Sequence, residues 1–322
     1  MRIVFFGTPS FAVASLEALV AAGHELALVV TNPDRRRGRR SELIAPEVKR
    51  AAITQGLQLR QPESVRDPAL IDELSTLEPE LGVVVAYGQF IPRALRRLPR
   101  HGMINVHGSL LPRHRGASPV SQAILDGDTE AGVTIIEVAR RMDAGAMLGK
   151  RATSISAEDT TGTLSARLAQ LGGALLVDVI DAIARGEEQR EQQDHAAATL
   201  ANKLSKGDGI LDWRRSALEL ERRVRAMSPW PLASFQLAGR GRRAKQRESI
   251  IVERACCAPE PEGAPAPGTI LKLDQAGLVV ATGTGALRLE QLRPPGKSTM
   301  SAADFARGRR LEAGHNLEGE VP

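Results

Sequence analysis

Asn105 and His107 stand two positions apart at the end of the apolar run INVH, just before the turn GSLLP. Successive residues of a strand face opposite ways, so Asn105 and His107 share one face and Ile104 and Val106 the other. Two neighbouring polar side chains on one face of a sheet need partners if they are buried. At the carboxyl end of a strand in an open α/β sheet they instead line the place where ligands bind. Asp143, in the Asp-Ala-Gly turn of ARRMDAGAML, supplies a carboxylate to complete the group. Asn105 and His107 can both donate hydrogen bonds to an oxygen that gains negative charge, with Asp143 beside the imidazole. No serine or cysteine stands with a matched base, although Ser109 is close in sequence. The chemistry that fits is acyl transfer in which the incoming substrate brings its own nucleophile. The competing reading is a histidine that is simply satisfied within a core.

Two other stretches attract attention. GTPSFA (7–12) occupies the first strand-to-helix turn, where a dinucleotide site places three glycines. It has one glycine, and Pro9 removes a backbone donor, so a tight turn and helix start is the favoured reading. PDRRRGRR (33–40) carries five arginines after a strand. It reads equally as a solvated loop or as a clamp on a phosphate backbone.

These residues need a scaffold, and the apolar pattern predicts one. RIVFF (2–6) is a first strand, Leu16, Leu19 and Val20 recur at helical spacing until Gly23, and ELALVV follows as a second strand. Further helices are expected at 45–56, 67–77, 92–98 and 118–126, with strands at 57–60, 81–86, 132–138 and 146–155. A long helix from 159 to 185 closes the series. Strands alternating with helices of this length give an α/β, Rossmann-like open sheet with helices on both faces.

The polar stretch 185–206 reads as a surface connector. Beyond it a helix at 216–227 is followed by ASFQLA, SIIVERA, GTILKL, GLVVAT and ALRLEQL, short strands separated by Gly, Pro and charge. That pattern predicts a small antiparallel, OB-like barrel. The expected division is 1–184, a linker at 185–206, and 207–322.

Composition narrows the function further. The 322 residues carry a net charge of +5, and 18 Lys+Arg against 14 Asp+Glu from Gly207 onward place +4 of it in the second domain. This suits a polyanionic partner there. Aromatic residues make up 3% of the chain, which argues against base stacking as the main route to nucleic acid. Cys256 and Cys257 are adjacent, too close for an unstrained disulfide, and no Cys or His spacing suggests a metal. No run is apolar enough to span a bilayer and no leader pattern opens the chain, so a cytoplasmic protein is expected.

INVHGSLLPRHRGASP resembles the signature of the 10-formyltetrahydrofolate-dependent formyltransferases. FFGTPSFA, VVVAYGQFIP, GVTIIEVARRMDAGAML, EDTTGTL, KLSKGDGILDW, SPWPLA and PPGKSTMSAADF resemble, in order, the branch that acts on methionyl-tRNA. The resemblance implies formyl transfer from the folate, as cosubstrate and without a metal, to the α-amino group of methionine on initiator tRNA. It makes Asn105, His107 and Asp143 catalytic. Folate contacts would come from Ser109, Leu110, Leu111, Pro112, Tyr87, Phe90 and Ile91, and tRNA contacts from Arg35, Arg39, Arg40, Lys203 and Lys206, in a monomer. His114 departs from the family pattern, which has a bulky aromatic there. A sugar-nucleotide formyltransferase or a non-catalytic tRNA-binding relative are the alternatives.

Overall fold

In the computed structural model the described residues are 1–37, 42–238, 247–260, 263 and 265–317. They form two compact units. The larger comprises Met1–Val120, Thr129–Ile155 and Thr163–Asn202, and the smaller Ser121–Asp128, Ser156–Gly162 and the chain from Lys203.

The larger unit follows the predicted alternation. Strand β1 (Arg2–Gly7), helix α1 (Ser10–Ala21) and β2 (Glu25–Val30) come first, then the short β3 (Arg35–Arg37) and β4 (Glu42–Ile44). They are followed by α2 (Glu47–Thr54), β5 (Leu59–Arg60), α3 (Pro68–Thr76), β6 (Leu81–Val85), α4 (Arg93–Arg96) and β7 (Met103–His107). After β8 (Arg115–Gly116) and α5 (Pro119–Asp126) come β9 (Glu130–Glu137), β10 (Met147–Ser154), α6 (Thr161–Arg185) and β11 (Leu200–Ala201). Local signals set several of these boundaries. Asp67 accepts from the Ala69 N–H, and Pro68 follows at the position where a missing N–H costs nothing, so α3 starts there.

Seven strands make one sheet in the order β10-β9-β7-β6-β1-β2-β5. Pairing is parallel from β7 to β5, whereas β9 runs antiparallel to both β7 and β10. Alternation along the strands sorts two faces. Val4, Phe6, Leu28, Val30, Val84 and Met103 join Leu70, Leu74, Tyr87, Ile91 and Leu95 in one buried cluster. On the opposite face α6 lies so close that a Cβ on Gly172 would stand 3.0 Å from Val106. Met103, Asn105 and His107 share the first face. Apolar packing ends at Met103, and the next two residues on that face are polar and at the carboxyl end of β7.

The arginine run differs from its expected loop. β3 and β4 pair antiparallel, Arg35 opposite Ile44 and Arg36 opposite Leu43. A two-strand ribbon with Leu43 63% exposed buries no apolar face, so no hydrophobic alternation announces it.

In the smaller unit α7 (Ala217–Ala226) begins at a reciprocal cap between Ser216 and Glu219. The strands β12 (Ala233–Ala238), β13 (Arg247–Ala258), β14 (Ile270–Asp274), β15 (Gly277–Ala281), β16 (Ala286–Arg293) and β17 (Met300–Ser301) precede α8 (Ala302–Arg309). They pair antiparallel in the order β12-β13-β16-β15-β14, with β17 on β16. The expected antiparallel β domain is therefore present. Cys256 and Cys257 are both free on β13. Among the described residues no helix is long and apolar enough to cross a membrane.

Candidate active site

The site is built where β7 ends. His107 is 5% exposed and Asn105 half-buried. His107 Nε2 lies 3.0 Å from the His114 carbonyl oxygen. A carbonyl can only accept, so this contact places a proton on Nε2 and turns Nδ1 toward Asp143. Nδ1 is 3.7 Å from Asp143 Oδ2, beyond a direct hydrogen bond and within ion-pair distance when the ring is protonated. The carboxylate is itself aimed, because Oδ2 accepts from the Gly116 N–H at 2.9 Å. Asn105 makes no side-chain hydrogen bond among the described residues. A half-buried amide unclaimed by protein, beside an imidazole N–H, suits the carbonyl oxygen of a ligand.

A loop covers this face of β9. The Ser109 carbonyl accepts from Thr134 Oγ1 at 2.7 Å, and the same hydroxyl accepts from the Leu111 N–H at 3.1 Å. Thr134 is the residue opposite His107 in the ladder. Leu111 packs with Ile136 and Met147, and Leu110 lies over Gly132, where a Cβ would come within 2.3 Å of its Cδ2. Ser109 is buried and donates to the Arg113 carbonyl at 2.6 Å, while Pro112 is half-buried.

In the AYGQFIP segment two of the three residues singled out are buried and one is exposed. Tyr87 is 1% exposed, its ring set edge-on to Phe6 with 5.5 Å between centroids, and Ile91 is in the same core cluster. Burial pushes the Tyr87 phenol up to about 12. Tyr87 touches its polar surroundings through its backbone instead, the carbonyl accepting from Asn32 Nδ2 at 2.5 Å and Thr8 Oγ1 at 3.1 Å. Phe90, 50% exposed, is the member of the three that reaches the surface. An apolar segment at a strand end has the same composition whether it lines a cleft or fills a core, so the burial of Tyr87 and Ile91 could not be read from sequence alone.

The structure also adds residues that sequence reasoning passed over. The stretch read as a surface connector is fastened to the site. Glu191 and Met147 exchange backbone hydrogen bonds at 2.8 and 2.9 Å, and β11 pairs parallel with β8. Between these ties Gln193 is 6% exposed, in contact with both Arg115 and the Asp143 turn. One buried glutamine in a run of exposed residues leaves no periodic signal. Of the expected polyanion contacts, Arg35, Lys203 and Lys206 are exposed, the two lysines in the smaller unit. Arg39 and Arg40 lie outside the described residues.

Residues 1–180 match the family described as formyl transferase, and residues 203–310 match formyl transferase, C-terminal domain. The methionyl-tRNA formyltransferase of Methylococcus capsulatus is 45% identical over 317 residues, spanning 98% of this chain and 99% of the relative. The chain belongs to the methionyl-tRNA formyltransferase family. The enzyme of that name from Roseiflexus castenholzii is 44% identical over 320 residues, spanning 99% of both chains. Membership makes the protein a one-carbon group transferase. Solved structures agree in fold. HypX from Aquifex aeolicus in complex with tetrahydrofolic acid has a TM-score of 0.61 at 18% identity, covering 95% of this chain and 47% of that one. WlaRD, a sugar 3N-formyl transferase, has a TM-score of 0.64 at 14% identity, covering 92% and 99%.

Proposed function

We propose that this formyltransferase moves the formyl group of 10-formyltetrahydrofolate onto the α-amino group of methionyl initiator tRNA, in the cytoplasm. The observation that carries the reading is the pairing of an unclaimed Asn105 amide with the His107 N–H at one strand end, with Asp143 behind the ring. Relatives of that activity at 44–45% identity over nearly the whole chain support it.

The amine nitrogen forms a bond to the formyl carbon, the bond from that carbon to N10 of the folate breaks, and a proton lost by the amine ends on N10. Only the neutral amine attacks; a free α-amino group titrates at about 7.7–8.0, so no strong base is needed. Charge collects on the formyl oxygen. Asn105 donates to it, and His107 Nε2–H exchanges the His114 carbonyl for it. Asp143 holds the imidazole by charge and orientation. The folate lies along Ser109–Pro112 and beside Phe90. The phosphate backbone of the tRNA is met by Arg35, Arg39 and Arg40, with Lys203 and Lys206, so binding weakens steeply with salt.

The test is formyl transfer by the purified protein with both substrates, beside Asn105→Ala. Loss of one donor to a developing oxyanion lowers kcat by roughly 100- to 1000-fold. Full activity in the variant would remove Asn105 from the mechanism. Binding of tRNA without transfer, or turnover of a sugar-nucleotide amine instead, would overturn the reading.

A further inference from the structure

The Asp143 turn is held from behind by a side chain with no part in the chemistry above. Gln193 Nε2 donates to the Asp143 carbonyl at 2.9 Å and to the Gly145 carbonyl at 2.8 Å. Its Oε1 accepts from Arg115 Nε at 3.1 Å and Nη2 at 2.6 Å. The residue after Arg115 is Gly116, whose N–H holds the Asp143 carboxylate at 2.9 Å. The two loops, 113–116 and 143–145, are thus tied together twice, once through the Asp143 side chain and once through Gln193 to its backbone.

The turn needs such support. Asp143 has φ +50°, a left-handed conformation that costs a residue with a Cβ free energy and persists only where neighbours impose it. Gly145 has no room to change, since a Cβ there would stand 1.9 Å from the Glu137 carbonyl oxygen. Gln193 is nearly fully buried, so water cannot replace its two donated hydrogen bonds without opening the turn.

We propose that Gln193 is a positioning residue for formyl transfer, acting through Asp143 on the orientation of His107. This rests on the function proposed above. Asp143 Oδ2 already lies 3.7 Å from His107 Nδ1, so a further displacement of the turn sharply weakens its hold on the ring. An error of about 1 Å in a group that orients catalysis costs on the order of 100-fold.

The experiment compares the full-length parent, Gln193→Met, Asp143→Asn and the double variant by transfer kinetics. Methionine keeps the length of the side chain and removes all four hydrogen bonds. Gln193→Met is expected to lower kcat by roughly 10- to 100-fold, with the KM of both substrates within about threefold of the parent. In the Asp143→Asn background the same change is expected to cost less than about threefold, because the group it positions is already disabled. Equal losses in both backgrounds would reduce Gln193 to a structural residue and overturn the proposal, as would a parental kcat. Should Gln193→Met fail to fold, Gln193→Glu is measured in its place: it keeps an acceptor for Arg115 and turns an oxygen toward the two carbonyls, and it must reproduce the kcat loss and the coupling. A parent without transfer activity would count against the function proposed above and not against the geometry of Gln193, so the two failures are told apart.

Discussion

Thr134→Val separates shape from hydrogen bonding at the centre of the site. Thr134 has no exposed surface, and its hydroxyl both donates to the Ser109 carbonyl and accepts from the Leu111 N–H. Valine fills nearly the same volume, so the change strands one buried acceptor and one buried donor. Each orphaned group costs roughly 1–3 kcal/mol, and removal of the buried hydroxyl returns about 1 kcal/mol, for a net loss of roughly 1–5 kcal/mol. Thr134→Ser keeps both hydrogen bonds and loses one methyl, about 1 kcal/mol. At roughly 2–4 °C per kcal/mol for a unit of this size, the valine variant unfolds about 2–20 °C below the parent and the serine variant about 2–4 °C below. In the transfer assay the valine variant also shows a raised KM for the formyl donor, because the loop proposed above to carry the folate has lost its tie to β9. A valine variant that melts at or above the serine variant would refute the assignment of the hydroxyl as the anchor.

Two further predictions concern ionisable groups. Tyr87→Phe removes a buried hydroxyl that has no hydrogen-bond partner among the described residues, and is expected to leave stability unchanged or raise it by up to about 1 kcal/mol. Since the folded phenol is held up at about 12 and the unfolded one titrates at 10.0, parent stability falls as pH rises through that interval; urea midpoints at about pH 8 and about pH 11 should show the fall in the parent and a smaller one in the variant. Hydrogen bonding by Arg288, with Lys272 and the Ala276 N–H, holds Asp274 down at about 2, so its contribution to stability is present above the unfolded value of 3.8 and lost as pH drops toward 2. Arg288→Met should move the Asp274 carboxyl titration, followed by NMR, back toward 3.8; an unmoved midpoint would show that Arg288 is not its cause.

Much of the site was legible because it rests on two local rules. Strand alternation alone put Asn105 and His107 on one face, and Ligand-facing strand ends in open sheets pointed to their role; the long-range step was Asp143, placed from a turn motif and found 3.7 Å from the ring. Where residues act through backbone pairing or through one isolated side chain, sequence carried no comparable signal. The β3–β4 ribbon has no buried face to pattern, and Gln193 sits among exposed polar neighbours. The burial of Tyr87 and Ile91 was hidden for another reason. Apolar character predicts removal from water, and a core removes it as well as a pocket does.

The pairing of β11 with β8 has a consequence for the order in which this protein becomes competent during synthesis. Asn105, His107 and Asp143 have all left the ribosome well before Leu200 and Ala201 are made, yet the loop that aims Asp143 is closed by the Arg115–Gly116 ladder to those two residues. The nascent chain therefore holds these three side chains for some time without the ladder that closes the loop beside them. A chain cut at the end of α6 would lack the same ladder.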